Sequence, residues 1–186
     1  MTEKLYLDAQ ALLEDSWRLG ARVADSGFRP TFIIAIWRGG APIGVAVQEL
    51  LKARGIASDH IAIRTASYHG IDGREDEVQV FSMNYLTKNV RHEDNLLIVD
   101  DVFDTGRSIE AVISHLENRA RLNTPCDIRV AVPYYKPSRN LTDRVPDYYL
   151  YETEQWLKFP HSLEGLTEAE IQDHRPELAA ILAEAR

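Results

Sequence analysis

The residues best equipped for chemistry stand between Leu96 and Ser108. An apolar run, Leu96-Leu97-Ile98-Val99, is followed by two carboxylates, Asp100 and Asp101, and then by Asp104, Thr105, Gly106, Arg107 and Ser108. Four apolar residues without polar alternation predict a strand buried on both faces, as in a parallel sheet under helices. Ile109, Val112, Ile113 and Leu116 then recur with helical spacing, so the small residues of the loop lead into a helix N-terminus. Such a place binds phosphate, because backbone N–H groups and the positive end of the helix dipole point at it and glycine lets the backbone come close. Carboxylates and a phosphate cradle repel if they hold the same atom. Asp100 and Asp101 are therefore expected to face sugar hydroxyls or a metal ion at a different part of the ligand. The ligand read from these residues is a sugar phosphate; the plainer alternative is an acidic turn that only caps a helix.

A second stretch repeats the grammar. Phe32-Ile33-Ile34-Ala35-Ile36 is another buried-strand run, it ends at Trp37-Arg38-Gly39-Gly40, and Pro42 opens a helix that runs through Leu51 and closes near Gly55. Strand, glycine turn and helix start again make an anion site, and Arg38 adds a forked, permanently charged donor. Alone, Arg-Gly-Gly is a tight turn. Its weight comes from the acidic strand end that follows later in the chain.

The run from Leu96 to Ser108 resembles the signature of the type I phosphoribosyltransferases, enzymes that use 5-phosphoribosyl 1-pyrophosphate. That resemblance implies that Thr105, Gly106, Arg107 and Ser108 hold the 5-phosphate, that Asp100 and Asp101 reach the ribose hydroxyls and Mg²⁺, and that Asp104 is the acid/base group near purine N7. Arg38, Gly39 and Gly40 are similar to the pyrophosphate loop of the purine members, where a non-proline cis bond, here Trp37-Arg38, is often found. Arg64-Thr65-Ala66-Ser67-Tyr68, then Gly70, Asp72, Gly73 and Arg74, form a polar excursion between strand patterns (Ile61-Ala62-Ile63 before, Val78, Val80 and Phe81 after) and read as a flap. In the family such a loop closes over the sugar, its Ser-Tyr pair falling on Ser67 and Tyr68, with Arg74 placed to meet pyrophosphate. Lys136-Pro137, with Trp156 some twenty residues on and a proline turn after it, resembles the xanthine-guanine members. By that likeness Lys136 donates to a purine 6-oxo group, Trp156 stacks on the ring, and backbone near Leu157 and His161 reads the 2-position. His161 and Phe159 depart from the subfamily pattern, so the choice among hypoxanthine, guanine and xanthine stays open.

The scaffold must carry these loops on strand ends. Residues 8 to 25 show helical spacing at Leu12, Leu13, Trp17, Ala21 and Ala24, with Asp8 as cap and Trp17 expected in the core. The helix after Ser108 runs to about Arg121 and stops at Asn123-Thr124-Pro125; Ile128, Val130 and Val132 make a strand, and Pro146 to Tyr151 another. Glu154 to His161 reads as an aromatic turn. Thr167-Glu168-Ala169-Glu170 matches a capping box that opens a tail helix interrupted at Pro176. Strand, loop and helix in alternation predict an α/β fold, a parallel twisted sheet flanked by helices with ligands at the strands' C-terminal ends. One domain is expected over 1–186, with a core at about 28–150, a small hood at about 134–165 and a helical extension at 166–186.

Bulk properties bound the function. Lys and Arg number 21 against 29 Asp and Glu, a net charge of −8, which argues against a nucleic-acid surface. The single cysteine, Cys126, excludes an internal disulfide or a cysteine zinc cluster and suits a reducing cytosol. There is neither a signal-peptide pattern nor an apolar run of membrane length, so a cytoplasmic protein without membrane partners is expected. The resemblance implies a Mg²⁺-dependent purine phosphoribosyltransferase acting on phosphoribosyl pyrophosphate and a 6-oxopurine, assembled as a homodimer or homotetramer. Two alternatives stand beside it: a non-catalytic sensor of phosphoribosyl pyrophosphate, which would need a nucleic-acid surface, and transfer to another base. Adenine fits poorly, because a lysine ammonium has no acceptor for an amino group. No Gly-x-Gly-x-x-Gly follows a strand, so a Rossmann dehydrogenase is set aside.

Overall fold

The computed structural model of the chain describes residues 4–68 and 77–184. It divides into two compact units, Gln10–Glu154 and a smaller one made of Met1–Ala9 with Gln155–Arg186.

The larger unit is built on a sheet of seven strands: β2 (Phe32–Trp37), β3 (Asp59–Tyr68), β4 (Glu77–Phe81), β5 (Asn95–Val99), β6 (Val102–Phe103), β7 (Asp127–Tyr135) and β8 (Tyr148–Glu152). Strands β3, β2, β5 and β7 lie side by side and parallel; β6 and β8 also pair with β7 in parallel, and among the described residues only β4 runs antiparallel, on β3. The apolar runs read in the sequence form the middle of this sheet. Ile33, Ile34 and Leu96 to Val99 are essentially inaccessible to solvent, as strands covered on both faces must be. Helices α1 (Ala9–Asp25), α2 (Gly40–Ala53), α3 (Asn84–Asn89) and α4 (Arg107–Ala120) complete the unit.

Three local expectations need correction. The buried stripe of α1 is Leu12, Asp15, Ser16, Leu19, Gly20, Val23 and Ala24, while Trp17 is 40% exposed and not in the core. Polar residues can occupy the stripe because they are satisfied: Ser16 Oγ donates to the Leu12 carbonyl at 2.7 Å, and Asp15 accepts from Arg18 at 2.6 Å and from Tyr151 at 3.0 Å. Next, Arg64 to Tyr68, read as the start of a flap, continues β3 and pairs with β4, so cross-strand hydrogen bonding overrides a polar composition. Lastly, α2 starts at Gly40, ahead of Pro42, which brings the glycine turn into the helix's first turn. The rest of the expected flap, with Arg74, lies outside the described residues.

The smaller unit holds a second, two-stranded parallel sheet of β1 (Lys4–Tyr6) and β9 (Trp156–Lys158), where the sequence reading had an aromatic turn. Two short helices follow, α5 (Glu168–His174) and α6 (Pro176–Glu184), and the capping box at Thr167 is formed in both directions. Glu170 does more than cap. It accepts from the Lys4 ammonium, from the Tyr6 hydroxyl at 2.8 Å and from the Thr167 N–H at 2.8 Å, and the Tyr6 and His174 rings stack at 3.7 Å. The Lys4 bond first, then the Thr167 N–H and the Tyr6 hydroxyl, lower the Glu170 carboxyl from its ordinary value to about 2. Among the described residues no helix is long and apolar enough to cross a membrane.

A Cβ on Gly44 would sit 2.7 Å from the Ala35 Cβ, so the helix rests on β2 with no room to spare. Gly44→Val is expected to lower the urea unfolding free energy by about 1–3 kcal/mol, the usual cost of overpacking. The lowered carboxyl of Glu170 stabilises the fold only while it is charged and its partners hold it, above the ordinary value, and that contribution is lost as the pH falls toward 2. Glu170→Gln should therefore melt at a lower temperature than the wild type at pH 7, and circular-dichroism melts should show the two converging between pH 4.5 and about 2.

Candidate active site

Parallel strands put their C-terminal ends at one edge, and neighbouring parallel strands are where ligands lodge in such sheets. β2 and β5 are direct neighbours, with Ala35 opposite Val99, so the glycine turn after Trp37 and the carboxylate pair after Val99 leave the sheet side by side. The fit between them is close. A Cβ on Gly39 would fall 1.9 Å from Asp101 Oδ2, and one on Gly40 would fall 2.6 Å from the Val99 carbonyl oxygen and 2.8 Å from the Asp100 Cα. Only a chain without side chains at both positions can lie there. The peptide bond between Trp37 and Arg38 is cis, at the place the resemblance indicated. Arg38 is exposed, and its carbonyl accepts from the Ala41 N–H at 3.2 Å as the helix begins.

At the second strand end the course of the chain is interrupted. β5 pairs with β7 through Val99 and Ala131, and β6 resumes the pairing at Val102 and Tyr134. The two residues between are Asp100 and Asp101. The Asp100 N–H still reaches the Ala131 carbonyl at 3.3 Å, and the Asp101 N–H donates to Asp100 Oδ1 at 2.9 Å. Burial, and then the neighbouring Asp101 charge, push the Asp100 carboxyl well above the ordinary carboxylate range. Among the described residues no set of three or more His, Cys, Asp or Glu side chains converges as a metal site. The donors available here are this pair.

The loop that follows is held from beneath. Gly106 has φ +79°, and a Cβ there would meet Thr142 Oγ1 at 2.5 Å and the Phe103 ring at 2.9 Å, so glycine is required for both reasons. The Leu141 N–H donates to the Thr105 carbonyl at 3.0 Å, and Asn140 Oδ1 accepts from the N–H and hydroxyl of Thr142, both at 2.9 Å. Helix α4 then starts at Arg107 without a side-chain cap on Gly106, the Arg107 N–H reaching Thr105 Oγ1 at 3.5 Å; the N–H groups of a helix's first turn point out of its end. Asp100, Asp104, Thr105, Gly106 and Ser108 line a cavity of about 60 Å³ at this point.

Lys136 directly follows β7, and its N–H donates to the Phe103 carbonyl at 2.9 Å. Its side chain is 5% exposed, and the ammonium lies 3.8 Å from Asp104 Oδ2. Arg139, to which the sequence reading gave no role, brings Nε to 2.6 Å from the other oxygen, Asp104 Oδ1. The turn that brings it there, Pro137–Arg139, opens on the proline of the Lys136-Pro137 pair, and no local pattern marks Arg139 as the neighbour of Asp104. Arg38, Gly39, Gly40, Asp100, Asp101, Asp104, Thr105, Gly106, Arg107, Ser108 and Lys136 thus all belong to the larger unit, in the loops that leave the strands of one sheet or in the first turns of the helices those loops enter. Ser67 and Tyr68 are the last residues of β3, and Arg74 is outside the described residues. Trp156 and Leu157 lie on β9 in the smaller unit, where Trp156 is 48% exposed and the buried Lys158 ammonium stands 5.6 Å from its ring centre.

The chain resembles known proteins in both sequence and fold. Residues 4–166 match the phosphoribosyl transferase domain family. The chain is similar to the hypoxanthine-guanine phosphoribosyltransferase of Lactococcus lactis, 26% identical over 148 residues, which is 78% of this chain and 74% of that protein. It is also similar in structure to a purine phosphoribosyltransferase from Pyrococcus horikoshii, with 25% identity, a TM-score of 0.71, and coverage of 89% of this chain and 97% of that one. A Neisseria gonorrhoeae protein solved with bound ppGpp shares the fold at 19% identity, with a TM-score of 0.72 over 97% of this chain and 98% of that one. The family match runs through both loops and every strand of the large sheet, and the chain belongs to the phosphoribosyl transferase domain family.

Proposed function

We propose that this chain is a purine phosphoribosyltransferase, moving the 5-phosphoribosyl group of phosphoribosyl pyrophosphate to N9 of a 6-oxopurine and releasing pyrophosphate. The observation that carries the choice of base is the buried Lys136 ammonium, 3.8 Å from Asp104 Oδ2, at the edge that also holds the phosphate-type loop. An ammonium only donates, so it suits an oxo group and not an amino group. The hypoxanthine-guanine and purine enzymes among the similar proteins support the same reading.

In this reaction the bond from the anomeric carbon to the pyrophosphate oxygen breaks, the bond from N9 to that carbon forms, and the purine gives up a proton. Positive charge develops on the ribose and negative charge on the leaving group. Gly39 and Gly40, with backbone N–H groups at the start of α2, and Arg38 receive the pyrophosphate. Thr105, Gly106, Arg107 and Ser108 hold the 5-phosphate at the start of α4. Asp100 and Asp101 meet the ribose hydroxyls. Asp104 takes the purine proton near N7, while Lys136 holds the oxo group. Ser67, Tyr68 and Arg74 are placed by the family likeness in the segment that closes over the sugar and keeps water from its reactive carbon, and Trp156 and Leu157 in the purine contact.

Mg²⁺ suits the carboxylate pair. Two adjacent acids, one pushed toward its neutral form by burial and by the other, are relieved by a divalent cation, and Mg²⁺ is commonly held by one or two carboxylates with substrate oxygens completing its shell. When bound, it would neutralise charge on the leaving pyrophosphate.

The test is an assay with Mg²⁺, phosphoribosyl pyrophosphate and each of hypoxanthine, guanine, xanthine and adenine. Nucleoside monophosphate is expected with at least one 6-oxopurine and not with adenine; product from adenine alone would reject the assignment of Lys136. Asp104→Asn is expected to lower kcat by about 10²–10⁴-fold without a change in melting temperature. Near-normal turnover in that variant would remove Asp104 from the chemistry.

A further inference from the structure

Arg139 is the cation that the family likeness leaves without a task. Its Nε stands 2.6 Å from Asp104 Oδ1, an oxygen that is buried and receives no hydrogen bond, so the contact is one of charge and is off the hydrogen-bond line. The second oxygen, Oδ2, faces Lys136 at 3.8 Å. Each oxygen of one carboxylate therefore has its own cation.

The position of Arg139 is itself fixed. Pro137–Arg139 is a single 3₁₀ turn whose last N–H donates to the Lys136 carbonyl at 3.1 Å. Ser138 in the middle of the turn donates twice to Glu154, from its hydroxyl to Oε2 and from its N–H to Oε1 at 3.3 Å. Glu154 follows the end of β8, where the Thr153 N–H donates to the Tyr135 carbonyl at 3.0 Å. A chain of contacts thus runs from a strand end through Glu154 and Ser138 to Arg139 and on to Asp104.

We infer that Arg139 is a positioning residue for Asp104: it grips Oδ1 and leaves Oδ2 as the oxygen that exchanges the proton. The inference rests on the purine reading above, which gives Lys136 two demands. Once its ammonium turns to a 6-oxo group it no longer restrains the carboxylate, and a second cation must keep Asp104 in place. Stability does not explain the contact. The Arg139 and Asp104 side chains are 45% and 32% exposed, and ion pairs at such exposure contribute little to folding.

The test is a double-mutant cycle in the full-length protein. Arg139→Ala is expected to lower kcat by about 10- to 100-fold, the scale of a misplaced reacting group, with the KM for phosphoribosyl pyrophosphate within about twofold of wild type. In an Asp104→Asn background the same substitution should cost no more than about twofold, because the group it positions has lost its function. An equal loss in both backgrounds, or no loss in either, overturns the inference. Arg139→Met, which keeps the aliphatic stem, takes the place of the alanine variant if that one fails to fold. Crystal structures of the wild type and Arg139→Ala decide the point independently of activity: a displaced or split Asp104 carboxylate supports the inference, and an unmoved one overturns it. If the wild type makes no nucleotide from any purine, the purine reading falls while the crystallographic comparison still judges Arg139.

Discussion

Everything at the carboxyl edge of the large sheet depends on one close approach, that of the backbone at Gly39 and Gly40 onto the strand end at Val99, Asp100 and Asp101. The space there does not admit a single Cβ: one would fall 1.9 Å from Asp101 Oδ2 and another 2.6 Å from the Val99 carbonyl oxygen. This contact places the N-terminus of α2, a source of N–H groups and positive dipole, directly beside two carboxylates. The two chemistries repel different ligands and attract different parts of the same one. The substrate of the proposed function, with its phosphates and sugar hydroxyls, suits both. The chain's net charge of −8 gives no broad attraction for such a polyanion. Affinity must come from helix ends, glycine backbone and a few cations held at short range.

The interruption between β5 and β6 is the second half of that constraint. Along its length β7 is continuous, and the neighbouring chain pairs with it on either side of the break, at Val99 with Ala131 and at Val102 with Tyr134. Because register is held across the gap, the carboxylates leave the sheet without the strand losing its place. The same register sets Phe103 opposite Tyr135, one residue before Lys136, and so brings the Lys136 ammonium to the Asp104 carboxylate. A break that let the strand slip by one residue would turn these side chains to the opposite face.

How far the sequence discloses this varies with the kind of signal. Long apolar runs disclosed β2 and β5, since strands buried on both faces need no alternation. The loops at Gly39 and Gly106 could be read because glycine there answers a local need, close approach in the first and positive φ in the second. The capping box at Thr167 is likewise local and was legible. What escaped is set by partners distant in sequence. β1 and β9 are three residues each and hold no periodic pattern, so only their mutual pairing makes them strands. The stripe of α1 was misread because Asp15 and Ser16 are buried through bonds to Arg18, Tyr151 and the Leu12 carbonyl, which no hydropathy pattern reveals. Arg139 escaped for the same reason, since its charge partner belongs to a different loop.

The two buried lysines show how a structural cation is told from a functional one. Lys158 donates to the Glu164 carbonyl at 2.8 Å and to the Gly165 carbonyl at 3.2 Å, and burial lowers its affinity for the proton. Those carbonyls close the turn before α5, so the ammonium serves as an internal staple in the smaller unit. Lys136 is as deeply buried, but its head group faces a carboxylate at 3.8 Å, a distance longer than a charge-assisted hydrogen bond. A lysine and an aspartate kept near each other, with a second cation on the far oxygen, are suited to a group that must be received between them. That arrangement has a donor and an acceptor side by side, which is what the proposed function asks of it.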